Sequence, residues 1–321
     1  MNFLFSTIGK RGYIADFFRE HLSPSDRIIG TGVTEWTPGF SRCDDYVLVP
    51  PFTSDEYPEA VLELCRAREI DALLSFSDPD VHVLSGIKET LREQGVTAFI
   101  PDRRAADIAF DKLETAAFLE GVGIDHPRTT IDPTDPGLEF PVFVKPRRGS
   151  GSHNNYLVES PGELRSVLER HPDMLIQEYT PGHEINVEVL GDLTGRPIGS
   201  SVWTKHSSNL GETELAETTD DPEVHALALR AAEALRVCGP MDIDLMRLDD
   251  RIIVIEFNPR FGGGYPVSHL AGADFPRKML RVLAGEDLEP DHAYERDVVM
   301  MKELRIIGGA RETFLSSRRT S

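Results

Sequence analysis

The sequence predicts an α/β head of roughly 100 residues followed by an α+β body. Three observations carry this. Short apolar strands alternate with amphipathic helices through the first hundred residues, the pattern of a parallel sheet flanked by helices. Further along, the strands lengthen and succeed one another around glycine loops and tight turns, as antiparallel neighbours do. The chain has 321 residues, more than one compact core usually holds, so two or three domains are expected.

In the head, "NFLFST" reads as a strand and "YIADFFREHL" as a helix. "RIIGTGV" and "DYVLVP" are short strands, "YPEAVLELCRAR" a helix and "DALLSFS" a strand. "DVHVLSGIKETLREQG" reads as a helix and "TAFIP" as the last strand. Ligands of such sheets bind beyond the strands' carboxyl ends, which here carry "STIGKRG" and "SFSDPD". A helical connector, "DIAFDKLETAAFLEGVG", leads into the body. "FPVFVKP" and "NYLVES" are strands around a glycine loop, and "PGELRSVLERH" is a helix. "MLIQEY", "EINVEVLG" and "PIGSSVWTK" read as longer antiparallel strands, before a long helix, "PEVHALALRAAEALRV". "MDIDLMRL" and "RIIVIEFNP" form a hairpin with "DD" at the turn,. "DVVMMKEL" adds a possible final strand in the tail.

Composition narrows the function. The chain is 40% hydrophobic and 27% charged, ordinary for a globular protein. A formal net charge of -20 argues against a nucleic-acid partner, which needs a basic face. Cys43, Cys65 and Cys238 have neither zinc nor redox spacing,. With no signal-peptide pattern at the start and no long apolar run,, the expectation is a cytoplasmic protein with no membrane partner.

Three segments carry chemistry. In "VIEFNPRFGGG", residues two apart on a strand share a face, so Glu256, Asn258 and Arg260 line up while Ile255 and Phe257 point to the core. Asp242 and Asp244 have the same period, and a hairpin brings one of them opposite Glu256. Such hard oxygen ligands suit magnesium, which completes its octahedron with water and phosphate; the alternative is a solvent-facing polar edge. In "VFVKPRRGSGSHNN", Lys145 ends an apolar strand before small residues whose N–H groups can close on phosphate,. It is neither a Walker loop nor a Rossmann fingerprint, and the alternative is an ordinary hairpin turn. In "QEYTPGHEINVEV", Glu178 and Glu184 flank a Pro–Gly turn. A strand meeting such a turn can offer backbone to a purine edge and a carboxylate to a ribose, or be a turn alone.

Together, and in this order, the segments resemble the ATP-grasp superfamily, and within it the carbamoyl-phosphate-synthase-like and biotin-carboxylase-like ligases. "GPMDIDLMRLDDRIIVIEFNPRFGGG" carries most of the likeness, with "VKPRRGSGS" and the E-x-x-x-G-x-E of "EYTPGHE". The resemblance implies an ATP-grasp fold with a Rossmann-like pre-ATP-grasp domain over 1–100. A small subdomain with the helical connector and phosphate-closing loop follows over 101–180, and a large subdomain with the metal site and tail over 181–321.

The resemblance also implies roles. Lys112 in "FDKLE" and Lys145 match the lysines that hold the α- and β-phosphates, and Gly149, Ser150, Gly151 and Ser152 match the loop over the phosphates. Gln177, Glu178 and Tyr179 match the adenine hinge, and Glu184 the ribose acceptor. Asp244, Glu256 and Asn258 match the magnesium ligands, with manganese an alternative ion, and Arg260 faces the transferred phosphoryl group. Two departures stand out. Asp244 is shorter than the glutamine or glutamate often found there. In "VWTKHSSNLGE", Lys205 fits a γ-phosphate position, whereas His206 is either part of it or a surface residue.

The implied activity joins a carboxylate to an amine, an amino acid or small peptide, through an acyl phosphate with release of ADP and phosphate. Phosphorylation of bicarbonate or carbamate, and a non-catalytic nucleotide-binding module, are the alternatives. The partners are small molecules, with a homodimer left open. Acceptor-pocket candidates are Lys10, Arg11, Ser77, Asp78, Gly263, Gly264, Tyr265, Ser268 and His269. The cations suit a carboxylate and Asp78 an amino group; alternatively these are loop residues, with Asp78 capping the next helix.

Overall fold

The computed structural model describes residues 1–149, 154–209 and 212–309. Ser150, Gly151 and Ser152, expected in the phosphate loop, lie outside the described residues.

The alternating head folds as β1 (Asn2–Ser6), α1 (Tyr13–Arg19), β2 (Arg27–Gly32), β3 (Asp45–Leu48), α2 (Tyr57–Ala67), β4 (Ala72–Ser75), α3 (Asp78–Ser85), α4 (Lys88–Glu93) and β5 (Thr97–Ala98). Its sheet is parallel, with order β3-β2-β1-β4-β5. Period two divides β1 between two cores: Phe3 and Phe5 pack with Phe18 and Phe261, and Leu4 packs with Tyr57 and Val61. The order reverses between β1 and β4, so their carboxyl ends open a crevice toward the body,. The single helix expected from Asp80 to Gly95 is two, broken at Gly86 and Ile87.

The connector forms α5 (Arg103–Phe110) and α6 (Lys112–Gly121), capped by the carboxylates of Asp102 and Asp111,. A four-stranded antiparallel sheet follows, ordered β6-β9-β7-β8. It contains β6 (Thr129–Thr130), β7 (Val142–Pro146), β8 (Tyr156–Val158) and β9 (Met174–Glu178), covered by α7 (Pro161–Arg170). The larger sheet is antiparallel, ordered β14-β13-β10-β11-β12-β15. Its strands are β10 (His183–Gly191), β11 (Pro197–Asn209), β12 (Glu212–Thr218), β13 (Gly239–Arg247), β14 (Ile252–Asn258) and β15 (Val299–Met301). The helix α8 (Pro222–Leu235) packs Val224, Ala228 and Ala231 on Val187, Val189 and Ile243 of one face. Strand β12 and two helices, α9 (Tyr265–Leu270) and α10 (Phe275–Leu283), were not anticipated from sequence. No helix among the described residues is long and apolar enough to cross a membrane.

Candidate active site

With Ile185, Val187 and Val189 of β10 turned to the core beneath α8, Glu184, Asn186 and Glu188 must face the other way,. Register extends this polar face across the sheet. Glu188 lies opposite Asp242 and Asn186 opposite Asp244; Asp242 then pairs with Asn258 and Asp244 with Glu256. Asp244 is therefore the residue opposite Glu256. The register shifts after Asp244, so that Leu245 pairs with Val254. This bulge inserts Ile255, which lines the cleft instead of pointing to the core as expected,.

The polar face forms a wall of a cleft of about 620 Å³, with the four-stranded sheet opposite. Lys112 at the start of α6 and Lys145 on β7 reach across it, with Nζ 3.6 and 3.9 Å from Glu256 Oε2. Burial opposes ionisation of Glu256, but Lys112 and Lys145 outweigh it and pull the carboxyl down to about 2. Burial depresses the Lys145 ammonium, and Glu256 offsets part of that. Lys112 is held at both ends, its N–H donating to Arg147 O at 3.1 Å and its Nζ to Gly149 O at 2.9 Å. The preceding Asp111 accepts from Arg147 Nε at 2.8 Å and Arg148 Nε at 3.0 Å, fixing the base of the glycine loop.

The donor set fits magnesium. Burial and the negative charges of Asp242 and Glu256 push the Asp244 carboxyl well up, so a cation is favoured there. Asn186 donates to Asp242 and Asp244, while its Oδ1 is buried without a partner. Among the described residues, no three His, Cys, Asp or Glu side chains form a metal cage. An open set of Asp244, Glu256 and the Asn258 amide matches an ion that draws further ligands from phosphate and water.

At the other end, Gln177 is buried and its Nε2 donates to Thr129 Oγ1 at 3.0 Å. Glu178 pairs with Arg251 at 2.5 Å and accepts from the Arg128 N–H at 3.2 Å. With these side chains engaged, Tyr179 is the exposed member at the rim. Glu184 and Lys205 form an ion pair on adjacent strands. Burial works against the Lys205 charge, but Asp244 and Glu184 more than compensate and raise its pKa. His206 takes the surface alternative, with Nε2 3.0 Å from Glu217 on an exposed part of the sheet.

Two sequence profiles match the chain: "PylC-like, N-terminal domain" over residues 3–99 and "ATP-grasp domain" over residues 109–264. Residues 109–264 are an ATP-grasp domain. A carbamoyl-phosphate synthase of Methanobrevibacter smithii is 25% identical over 245 residues, covering 70% of this chain and 66% of that protein. A 3-methyl-D-ornithine–L-lysine ligase of Methanosarcina mazei is 25% identical over 238 residues, covering 73% and 60%. The chain thus spans less than two thirds of the length of either relative. The ATP-grasp fold is shared with the N5-carboxyaminoimidazole synthetase of Staphylococcus aureus, at TM-score 0.74 and 15% identity over 94% of this chain and 81% of that one. The L-amino acid ligase of Bacillus licheniformis aligns at TM-score 0.71 and 20% identity over 90% and 75%.

The acceptor candidates divide. Gly263 lines the ATP-grasp cleft. Lys10 is exposed, and Ser77 is half-buried just before α3. Arg11 is spent on Glu212 at 3.0 Å and Phe261 O at 2.6 Å. Asp78 does not cap α3; it pairs with Arg260 at 3.2 Å. Tyr265, Ser268 and His269 are corrected to packing positions, because α9 presses its apolar face into the head–body core. The Tyr265 hydroxyl donates to Ala273 O at 3.2 Å and accepts from the Phe275 N–H at 3.0 Å. His269 stacks on Phe17, and Ser268 is fully buried. The Gly262 N–H is also taken, donating to Glu188 Oε2 at 3.2 Å, so it is not offered to a reacting group. A Cβ on Gly264 would come within 2.3 Å of the Trp203 ring.

Sequence reasoning missed Asn186, Trp203 and Asp111. The alternation of "EINVEV" held the signal for Asn186. Trp203 and Asp111 gave none, since both act through partners distant in the chain.

Proposed function

We propose that the chain is an ATP-dependent carboxylate–amine ligase. The observation that carries this is the opposition of Lys112 and Lys145 to Glu256 across the cleft, at 3.6 and 3.9 Å. It supplies cations for nucleotide phosphates on one wall and hard oxygen donors on the other. The amino-acid substrate class draws support from the lysine ligase relative and from the PylC-like profile over the head.

In this reading, Lys112 and Lys145 bind the α- and β-phosphates, and Asp244, Glu256 and Asn258 hold magnesium. The ion supplies charge neutralisation for the phosphates. The backbone around Glu178 and Tyr179 receives adenine, and Glu184 takes the ribose once Lys205 turns toward the γ-phosphate. A substrate carboxylate oxygen attacks the γ-phosphorus, and the bond to the β,γ-bridging oxygen breaks to release ADP. Arg260, whose charge is kept by Asp78 and Asp242 against the effect of burial, offsets the charge on the transferred group. The amine then attacks the acyl carbon, phosphate leaves, and the nitrogen gives up its proton.

The carbamoyl-phosphate synthase relative favours a second reading, in which bicarbonate or carbamate is the phosphoryl acceptor. ADP release measured with amino-acid pairs, and separately with bicarbonate, tests both. Release that needs an acid and an amine supports the ligase. Release with bicarbonate alone supports the second reading, and none with either removes both.

A further inference from the structure

Arg260 lies where the head meets the body, and its guanidinium is committed on three sides. Nε lies 3.2 Å from Asp78 Oδ1 and 3.3 Å from Oδ2. Nη1 donates to Phe261 O at 3.0 Å and stands 3.8 Å from Asp242 Oδ2, and Nη2 donates to Asn258 Oδ1 at 3.0 Å. Phe261, Asp242 and Asn258 belong to the body, whereas Asp78 comes from the head. The side chains of Arg260 and Asp78 are only 12% and 10% exposed, so the pair is largely withdrawn from water.

The turn that carries Asp78 is itself tied down. Two residues on, Asp80 is fully buried and accepts from Tyr57 at 2.5 Å, Ser75 at 2.7 Å and Thr7 at 3.1 Å. Ser75 ends β4 and Thr7 follows β1. Asp80 therefore locks the start of α3 to both strand ends at the point where the strand order reverses. In doubly wound sheets this crevice commonly receives a ligand. Here its rim holds a guanidinium from the other unit.

We propose that Asp78 is a positioning residue for phosphoryl transfer: the head, through the α3 turn anchored by Asp80, sets the orientation of the Arg260 guanidinium toward the transferred phosphoryl group. The proposal rests on the ligase reading for the role of Arg260. A guanidinium is a planar fork whose bonds depend on its orientation. Asp78 takes Nε from the head side, while Nη1 and Nη2 stay on the body at Phe261 O and Asn258 Oδ1, so the plane of the fork is set from both units. Asp242 at 3.8 Å does not substitute for it, being nearer Nη1 and already bonded by Asn186 at 3.0 Å. Losing Asp78 leaves the charge of Arg260 and its body contacts in place but removes the constraint on Nε, so the plane of the fork is held from one side only.

The test compares binding of magnesium AMP-PNP and magnesium ADP by calorimetry in the full chain, in Asp78→Asn and in Asp78→Glu. Steady-state kinetics accompany it on an acid and amine found by the screen above. Asp78→Asn is expected to bind ADP within about twofold of wild type, to lose about tenfold in its preference for AMP-PNP, and to lose at least about tenfold in kcat with little change in KM for ATP. Asp78→Glu, which restores a carboxylate at a different reach, should recover part of both losses. Unchanged preference and kcat in Asp78→Asn overturn the proposal. So does an equal loss for both nucleotides with a lower melting temperature, the mark of a merely structural role. Should Asp78→Asn not fold, Asp78→Glu decides, and an unaltered preference in it overturns the proposal. A wild-type chain that turns over no acid removes the ligase reading but leaves the nucleotide comparison intact. A wild-type chain that fails to distinguish the two nucleotides overturns the proposal itself.

Discussion

Lys145 Nζ and Glu256 Oε2 stand 3.9 Å apart across the cleft, each on a different sheet. Lys112 approaches the same oxygen at 3.6 Å. In the ligase reading, phosphates entering between the sheets would compete with Glu256 for both ammonium groups. A divalent ion entering with them would take over the charge that Glu256 is left holding. The two exchanges are coupled, so nucleotide and magnesium should each strengthen the binding of the other.

Removing a member of the donor set separates chemistry from folding. Glu256→Gln or Asn258→Ala should lower turnover by at least about 100-fold, since an ion neutralising phosphoryl charge contributes several kcal/mol. Circular dichroism should remain that of the wild type. Magnesium should also cease to tighten ADP binding in calorimetry. A variant with near-normal turnover at limiting magnesium removes these residues from the metal site.

Much of this site was legible because strand periodicity is local. Glu256, Asn258 and Asp244 follow from alternation and one hairpin, whose register the structure supplies. What was not legible depends on partners far apart in sequence. Nothing near Asp78 in the chain points to Arg260, 182 residues away. Tyr265, Ser268 and His269 follow the glycines directly, but burial of α9 turns them from the cleft. Ile255 left the core through a bulge, which alternation cannot foresee. In the fold, the alternating head was readable apart from the break between α3 and α4, whereas β12 and α10 required knowledge of what they pack against.

Two of the three glycines of "RFGGG", Gly262 and Gly264, are required by closeness. A Cβ on Gly262 would stand 2.0 Å from Glu188 Oε1, and one on Gly264 2.3 Å from the Trp203 ring. Trp203 is fully buried and cannot retreat. Gly264→Ala should therefore destabilise the protein by about 1–3 kcal/mol, the usual effect of overpacking. Gly162 provides the control, because it lies in α7 with open space beside it; Gly162→Ala should be neutral or stabilise by up to about 1 kcal/mol. Urea midpoints measure both. Equal effects at the two positions would refute the argument from contact.

A pair of histidines sets a pH dependence away from the cleft. Ser200 Oγ lies 2.6 Å from His225 Nε2 and 2.8 Å from His292 Nδ1. Burial depresses His225, with Asp220 partly opposing; burial, His225 and Lys278 depress His292, with Asp291 opposing. Each folded pKa thus lies below the ordinary 6.5, and the unfolded chain binds more protons as the pH falls past that value. Stability should be full above about pH 6.5 and decline as the pH drops below it. His292→Gln should flatten the melting-temperature profile between about pH 5 and 7. A slope unchanged from wild type assigns the acid sensitivity elsewhere.

The order of chemistry in the ligase reading can be read from oxygen atoms. If the carboxylate is activated first, one of its oxygens becomes the bridge to phosphorus in the acyl phosphate and leaves with phosphate when the amine attacks. An [18O]carboxylate substrate should then deliver one labelled oxygen to the released phosphate, detectable as an isotope shift in 31P NMR, and retain the other in the amide. The motive is the joining of Arg260 to the polar strand face through Asn258, at 3.0 Å. In that reading, the contact puts a fixed cation beside the place where phosphoryl charge develops. The free cysteines offer no competing nucleophile: Cys65 and Cys238 are buried and Cys43 half-buried, and burial pushes the Cys43 and Cys65 thiols up to about 12. A thiolate that scarce does not attack a carboxyl group or a phosphoryl group. Amide formed with no label in the phosphate, the displaced oxygen appearing in water instead, would mean that the carboxylate was never the phosphoryl acceptor. Bicarbonate would then be the acceptor to test, with the same isotope placed on it.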